Sequence, residues 1–484
     1  MSSLPFVQEM SPAPDVADTF RKLANRPGLI LFDSSLRRSP LGRYSFLTAE
    51  PFHQIQIREA RYGTDPFEDL VPLLNQYQTS SIPDLPPFQG GVAGLLSYEL
   101  GHCFERLPVC ERDEFRIPAA VLGLYSWVLA WDHEQQRCWF IAHGDPEPTE
   151  KARLDLARFQ WEFIQQRLAE PEPPEMENPN SRNSSHETGV SPFSSERLLD
   201  SAFKTHDHEL ALLPLLRSNF TRQEYLHAVQ DVIEYIAAGD LFQANLSQRL
   251  LLPARSSPVM QYLKLRSQNP APFAGYFAHD DWVVMSSSPE RFLQLNGRRA
   301  ATRPIKGTRQ RGFIPEADLY TRDELRESEK DRAENMMIVD LLRNDLSRVC
   351  LPGSIQVPEL CSVEAYETVS HLVSEVQGTL RAGETFWSLL KATFPGGSIT
   401  GAPKIRAMQV ISELEQVARG PYCGSLFYHG FDGTADSNIL IRTMTQRFGW
   451  LTFSAGGGII TQSDPVAEYE ETLHKVRGML NALA

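Results

Sequence analysis

Several large classes of protein are excluded by what this 484-residue sequence lacks. Its six cysteines (Cys103, Cys110, Cys138, Cys350, Cys361 and Cys423) are scattered and form no CxxC pair, which rules out both a disulfide scaffold and a zinc cage. The longest apolar-looking run, Val121 to Trp131, is too short to cross a bilayer and is broken by Ser126. The opening MSSLPFVQEMSP has no basic stretch leading into an apolar one, so no secretory signal is visible and the cytoplasm is the expected location. Positive charge is not in excess: 47 basic against 61 acidic residues leave a net charge of −14, which argues against a general nucleic-acid binder. There is no G-x-C-x-G or G-x-S-x-G elbow, so a self-contained glutaminase or hydrolase is not expected. Neither a Walker A loop nor a strand-GxGxxG-helix pattern is present.

What remains is an ordinary globular composition, 42% hydrophobic and 22% charged, in a chain long enough for a large core. Residues 1–168 mix short strands, turns and a helix. "VLGLYSWVLAWDHEQQRCWFIAHG" (121–144) reads as a hairpin closed by the polar DHEQQ, and "TEKARLDLARFQWEFIQQRLAE" as a helix. "PEPPEMENPNSRNSSHETGVSPFSSE" (171–196) has too few large apolar side chains to offset the entropy of ordering. It is read as the heart of a linker or insertion covering 169–213. The pattern tightens from there to 484, the region expected to carry the chemistry. Thr221 and Glu224 form a capping box for a helix with Tyr225, Val229, Val232 and Ile236 on one face and Gly239 as its stop. A helix from about Ser328 to Asn344 is apolar on most sides through "MMIVDLL" and is expected to be buried. Two more helices are expected to begin at Pro403 and Pro465. Between them "CGSLFYHG", "NILIRTMTQRF" and "WLTFSAGGGII" read as strands joined by tight turns. No fixed-period repeat is present, and the class is α+β with long-range strand pairing.

Three constellations have the residue types for chemistry. Asp331 with Glu334, and Glu468 with Glu471, are i, i+3 acid pairs near helix starts, with Lys475 one turn beyond the second. Brought together, the two faces offer up to four oxygen donors for Mg²⁺; acids in first turns are equally explained by the helix dipole. "FPGGSITGAPKIRAM" (394–408) runs glycines and hydroxyls into a helix start, where free N–H groups bind anions, and "SAGGGI" (454–459) is a second glycine-rich turn. Either is also simply a tight turn. Third is Lys306 in "ATRPIKGTRQRG" (301–312), crowded by Arg303, Arg309 and Arg311 and set against Glu290 in "SSSPERF". An amine attacks only when neutral, which at an ordinary pKa holds for about 4 in 10⁴ at pH 7. Neighbouring cations and burial both lower a lysine pKa, so Lys306 is either an activated nucleophile or one more cation for an anionic ligand.

Taken together, "PIKGTRQRG", "EKDRAENMMIVDLLRNDLSRV", "YETVSHLVSEVQGTL", "FPGGSITGAPKIRAMQVISELE" and "AEYEETLHKVRGML" resemble the chorismate-utilising enzymes, in motif order from about residue 219 to the end. The N-terminal part resembles that of the ammonia-using members. The resemblance implies large antiparallel sheets packed as a sandwich with helices outside. "PIKGT" has Lys306 where the anthranilate-forming sibling typically carries Ala, and "DLFQANLSQR" has Gln243 where isochorismate- and salicylate-forming members carry a general-base lysine. Both departures point to the branch that aminates C4 of chorismate and keeps the enolpyruvyl group, on the route to p-aminobenzoate and folate. By resemblance, Lys306 is the nucleophile, Glu290 the acid for the departing C4 hydroxyl, and His371 a residue near the ring. Mg²⁺ falls to Glu334, Glu468 and Glu471, with Asp331 an outer member. Substrate contacts fall to Arg442, Tyr422, Gly456, Gly458, Ser398, Gly401, Gln243 and Lys475. Ammonia is expected from a separate glutamine amidotransferase subunit. The tryptophan-pocket motif "LLES" of the sibling is replaced here by "ILFDSSLRR" (30–38). The same-fold alternative is the anthranilate-forming enzyme; the different-class one is a non-catalytic chorismate or tryptophan binder.

Overall fold

The computed structural model describes residues 4–37, 41–110, 112–171, 204–205, 215–311, 315–365 and 369–483. Apart from Pro171 itself, the 171–196 stretch read as a linker lies outside the described residues.

Two antiparallel sheets carry the fold, and each draws strands from both ends of the chain. The larger, of 13 strands, runs from the edge strand Phe6–Met10 through Trp127–Asp132 and Ile30–Asp33 to Trp282–Ser288, Trp450–Ile459 and Gln243–Pro253. The smaller, of 10 strands, runs from Ile305–Gln310 and Val369–Thr379 through Arg291–Asn296 and Ser425–Gly430 to Gly91–Leu96 and His53–Ile57. Ile30, Phe46 and Phe277 of the first sheet meet Leu95, Val121 and Leu426 of the second in one apolar layer. On the far side of the larger sheet, helices Val16–Leu23, Pro258–Gln268 and Pro465–Leu483 bury Phe20, Tyr262 and Val476. Helices Glu329–Ser347 and Phe386–Thr393 cover the smaller sheet with Ile338, Leu342 and Leu390. This is the expected sandwich with helices outside.

Covering both faces of a sheet removes the alternation that marks a strand. That explains the first departure from expectation. Ala120–Tyr125 and Trp127–Asp132 are buried at every position, and only the second joins the expected hairpin, pairing Trp127 with Ala142. Ala120–Tyr125 pairs with Gly91–Leu96 in the other sheet, so the chain changes sheets at Ser126.

Helix Arg222–Ala237 carries its capping box: Glu224 N–H donates to Thr221 Oγ1 at 3.3 Å, and Thr221 N–H to Glu224 Oε2 at 2.9 Å. Helix Glu329–Ser347 is buried along one face only, through Asn335, Ile338, Val339, Leu342 and Leu346, while Met336 is 49% exposed. Its apolar run is therefore less buried than composition implied. Pro403 is the N-cap of helix Lys404–Glu415 rather than its first residue, and Pro465 does open the last helix.

Candidate functional site

Glu290 lies just past strand Trp282–Ser288, where the chain leaves one sheet for the other. Ser288 Oγ fixes the exit by donating to Ile439 O at 2.6 Å and accepting from Glu290 N–H at 3.2 Å. The Glu290 side chain is buried, and its carboxylate accepts from Ser398 Oγ at 2.7 Å and from the Ile305 N–H. Burial pushes its pKa up to about 7, against the pull of Ser398, Lys306 and the Ile305 amide.

Lys306 lies one residue beyond that amide, in strand Ile305–Gln310, and its Nζ donates to the carbonyl of the same Ser398 at 3.0 Å. The amine is partly buried, and burial is the main cause of its lowered pKa. Lys475 adds to the lowering, while Glu334, Glu290 and Glu471 oppose it. The arginines do not act as the sequence implied. Arg303 is neutralised by Glu364 and by Glu359, at 2.8 Å from the latter, and Arg309 by Asp331 at 3.0 Å. The acids come from other elements, so an uninterrupted basic run in sequence is not a basic cluster in space. Lys306 is poised chiefly by burial, and the like charge that adds to it is Lys475, not the arginines.

Beside Lys306, Gly307 (φ +63°) breaks the register so that Lys306 pairs with Leu372 and Thr308 with His371. A Cβ at Gly307 would lie 2.8 Å from the Leu325 side chain and 3.0 Å from the Asp331 carboxylate. Burial pushes the His371 pKa down to about 3, with the Arg442 charge adding to the effect and the Gly307 backbone opposing it. His371 is therefore neutral at physiological pH and a hydrogen-bonding group, not a proton reservoir. Arg442 holds a positive φ of 51°. Its guanidinium meets no acceptor among the described residues, and burial lowers its pKa. A half-buried cation without a counter-ion among the described residues is a place for an anion.

The acid pairs face this ensemble from two helices. Glu334 is partly buried, which raises its pKa; Lys306 and Lys330 pull it down, and Asp331 and Glu468 push it up. Glu468 is 5% exposed and accepts from Ser463 Oγ at 2.7 Å, with Lys330 Nζ at 3.5 Å. Glu471 pairs with Lys475 at 2.7 Å, and Lys475 Nζ also donates to Gly456 O at 2.8 Å. Asp331 is taken up by Arg309, one step outside the other three. Lysines bridge the carboxylates in this arrangement, and among the described residues no three acidic, His or Cys groups converge closely enough to hold an ion. The donor chemistry of Glu334, Glu468 and Glu471, all hard oxygen, nevertheless suits Mg²⁺ in kind.

Of the two readings of the 454–459 glycines, strand and tight turn, the structure takes the strand. Gly456, Gly457 and Gly458 lie inside strand Trp450–Ile459, opposite Ser247, Leu246 and Asn245. They are glycines because neighbours come too close: a Cβ on Gly458 would fall 1.9 Å from Gln243 Nε2, and one on Gly457 2.9 Å from Glu468 Oε2. Gly401 likewise forms a short strand against Ala244, where a Cβ would meet Gln243 O at 2.1 Å. Gln243 is 1% exposed and its Oε1 has no partner among the described residues. Tyr422 is buried, with its ring 5.7 Å from the Arg419 guanidinium. A separate cavity of about 340 Å³ lies between the sheets, lined by Phe32, Arg43, Tyr44 and Tyr428 among others, and none of the candidate site residues reaches it.

Sequence reasoning passed over Arg419, Glu415, Asn245 and Lys330. The i, i+4 spacing of Glu415 and Arg419 was the available signal for one buried pair, at 2.7 Å.

Residues 33–481 match the family described as chorismate binding enzyme. The chain belongs to this family. Among relatives of the chorismate binding enzymes, aminodeoxychorismate synthase component 1 of Klebsiella aerogenes is 37% identical over 484 residues, covering 97% of each chain. Anthranilate synthase component 1 of Thermus thermophilus is 36% identical over 472 residues, covering 96% of this chain and 94% of its own. Among solved structures, anthranilate synthase component I from Streptococcus pneumoniae superposes with a TM-score of 0.73 at 27% identity, covering 90% of this chain and 92% of its own.

Proposed function

We propose that this chorismate binding enzyme is component 1 of an aminodeoxychorismate synthase, replacing the C4 hydroxyl of chorismate by an amino group. The observation that carries the reading is the pairing of Lys306 and Glu290 through Ser398. A lysine nitrogen and a carboxyl with a pKa of about 7 are held by one residue, in opposite senses, at the carbonyl and the hydroxyl. Anthranilate formation has no use for a nucleophile at this position, which is where the sibling enzymes typically carry alanine.

Lys306 Nζ, neutral in part because burial disfavours its charge, forms a bond to C2 of the ring. The two ring double bonds shift, the C4–O bond breaks, and protonated Glu290 delivers its proton to the leaving hydroxyl, releasing water. Ammonia then bonds to C4, the double bonds return, and the C2–N bond to Lys306 breaks. Dividing one displacement at a poor centre into two is what a covalent intermediate achieves. Arg442 is suited to a substrate carboxylate, and neutral His371 beside it hydrogen-bonds without competing for a proton. Glu334, Glu468 and Glu471 would hold Mg²⁺, with Asp331 outside them; when bound, the ion supplies positive charge that orients the other carboxylate of the dianion. Ammonia is supplied by a separate glutamine amidotransferase subunit, in keeping with a chain that carries no thiol elbow of its own.

The test is the product formed from chorismate, Mg²⁺ and ammonium. Mass spectrometry should find 4-amino-4-deoxychorismate with the enolpyruvyl group intact, and Lys306→Ala should slow its formation by orders of magnitude or divert it. Pyruvate release with anthranilate fluorescence would overturn the assignment. An unchanged rate and product in Lys306→Ala would remove the covalent step.

A further inference from the structure

The Ser398 loop has no regular structure long enough to hold itself, yet it sets both reacting groups. Its rigidity comes from behind. The Arg419 side chain is almost wholly buried, at 2% exposure, and every nitrogen of its guanidinium donates to a fixed partner. Nε and Nη2 grip Glu415 Oε2 and Oε1 at 2.9 and 2.7 Å. Nη1 donates to Ile399 O, the residue after Ser398, at 3.0 Å, and Nη2 to Asn245 O at 2.6 Å. Asn245 Nδ2 adds a second donor to Ile399 O at 3.0 Å, and Asn245 N–H donates to Thr400 O at 2.8 Å. Glu415 Oε1 also accepts Ser247 N–H and Oγ, both at 2.8 Å. Tyr98 covers the guanidinium, with its ring centroid 4.7 Å away, and Glu99 holds the backbone N–H groups of Arg419 and Gly420 at 2.7 and 3.0 Å.

One guanidinium therefore ties strand Gln243–Pro253, the end of helix Lys404–Glu415 and the Ser398 loop together. A planar fork does this because its donors point in fixed directions; an ammonium cannot satisfy the same set. We infer that Arg419 is a positioning residue for the reaction: through Ile399 O it fixes Ser398, and Ser398 fixes the distance between Glu290 and Lys306. A misplacement of about 1 Å in a reacting group is enough to cost about 10²-fold in rate.

This inference rests on the proposed roles of Lys306 and Glu290, so its test reads total chorismate consumption, whichever product forms. Arg419→Lys, Ser398→Ala and the double variant are compared in the full chain with ammonium and Mg²⁺. If Arg419 acts through Ser398, Arg419→Lys lowers kcat about 10- to 100-fold with KM for chorismate changed less than about threefold. The double variant is then no slower than the slower single. Glu415→Gln, which keeps the shape of the partner but removes its charge, is the second probe should Arg419→Lys not fold; it should lower kcat in the same non-additive way with Ser398→Ala. Losses that multiply in the double variants, or that fall on KM alone, would overturn the inference. Anthranilate as product with non-additive losses would retain it while sinking the proposed function.

Discussion

Replacing Glu290 by glutamine tests the electrostatics of the site without chorismate. The carboxyl sits at about 7 instead of 4.5 because it is buried, with Ser398, Lys306 and the Ile305 amide only partly offsetting that. A folded-state pKa above the unfolded value means that the native state holds the proton more tightly. Stability is then full below about 4.5 and falls as pH rises through 7, by about 1.4 kcal/mol for each pH unit between the two values, or roughly 3 kcal/mol in all. Glutamine cannot ionise and keeps an oxygen for the Ser398 hydroxyl and the Ile305 amide. Glu290→Gln should therefore match the wild type near pH 5 and become more stable than it at pH 8. The gain is about 1 to 3 kcal/mol, because Lys306 loses a counter-charge and takes back part of it. Urea unfolding at the two pH values reads the difference directly. Over the same range the variant should lose about 10²- to 10⁴-fold in turnover, since its proton donor is gone. A stability difference that is equal at pH 5 and pH 8 would show that Glu290 does not titrate as a buried carboxyl, and the acid role would go with it.

Arg442→Leu should raise KM for chorismate at least about tenfold and leave kcat less affected, measured by steady-state kinetics, because it removes a half-buried cation from an anion's place. Gly457→Ala puts a methyl 2.9 Å from Glu468 Oε2; Mg²⁺ titration of activity should half-saturate at about tenfold higher concentration, with circular dichroism unchanged. Thr221→Ala removes the N-cap of helix Arg222–Ala237 and should cost about 1 kcal/mol in urea unfolding, with no change in kcat.

Local chemistry made much of this protein legible from its residues. The capping box at Thr221 and Glu224, the helix opened by Pro465, and the acid pairs at three-residue spacing depend on neighbours within one turn, and the structure reproduces them. The motifs around Lys306 and Ser398 pointed to the family, and with it the sandwich. Tertiary structure decided what depends on distant partners. Whether Arg303 and Arg309 crowd Lys306 is settled by Glu364, Glu359 and Asp331, which no reading of the arginine-rich stretch contains. Glycine shows only that a side chain is unwelcome, which fits a strand and a tight turn alike; pairing with Asn245, Leu246 and Ser247 decides between the two readings of 456–458 in favour of the strand. Arg419 went unremarked for the same reason. Its partners, Asn245, Ile399 and Glu415, come from three segments, and their oxygens define a site for a guanidinium only once the sheets have closed over it.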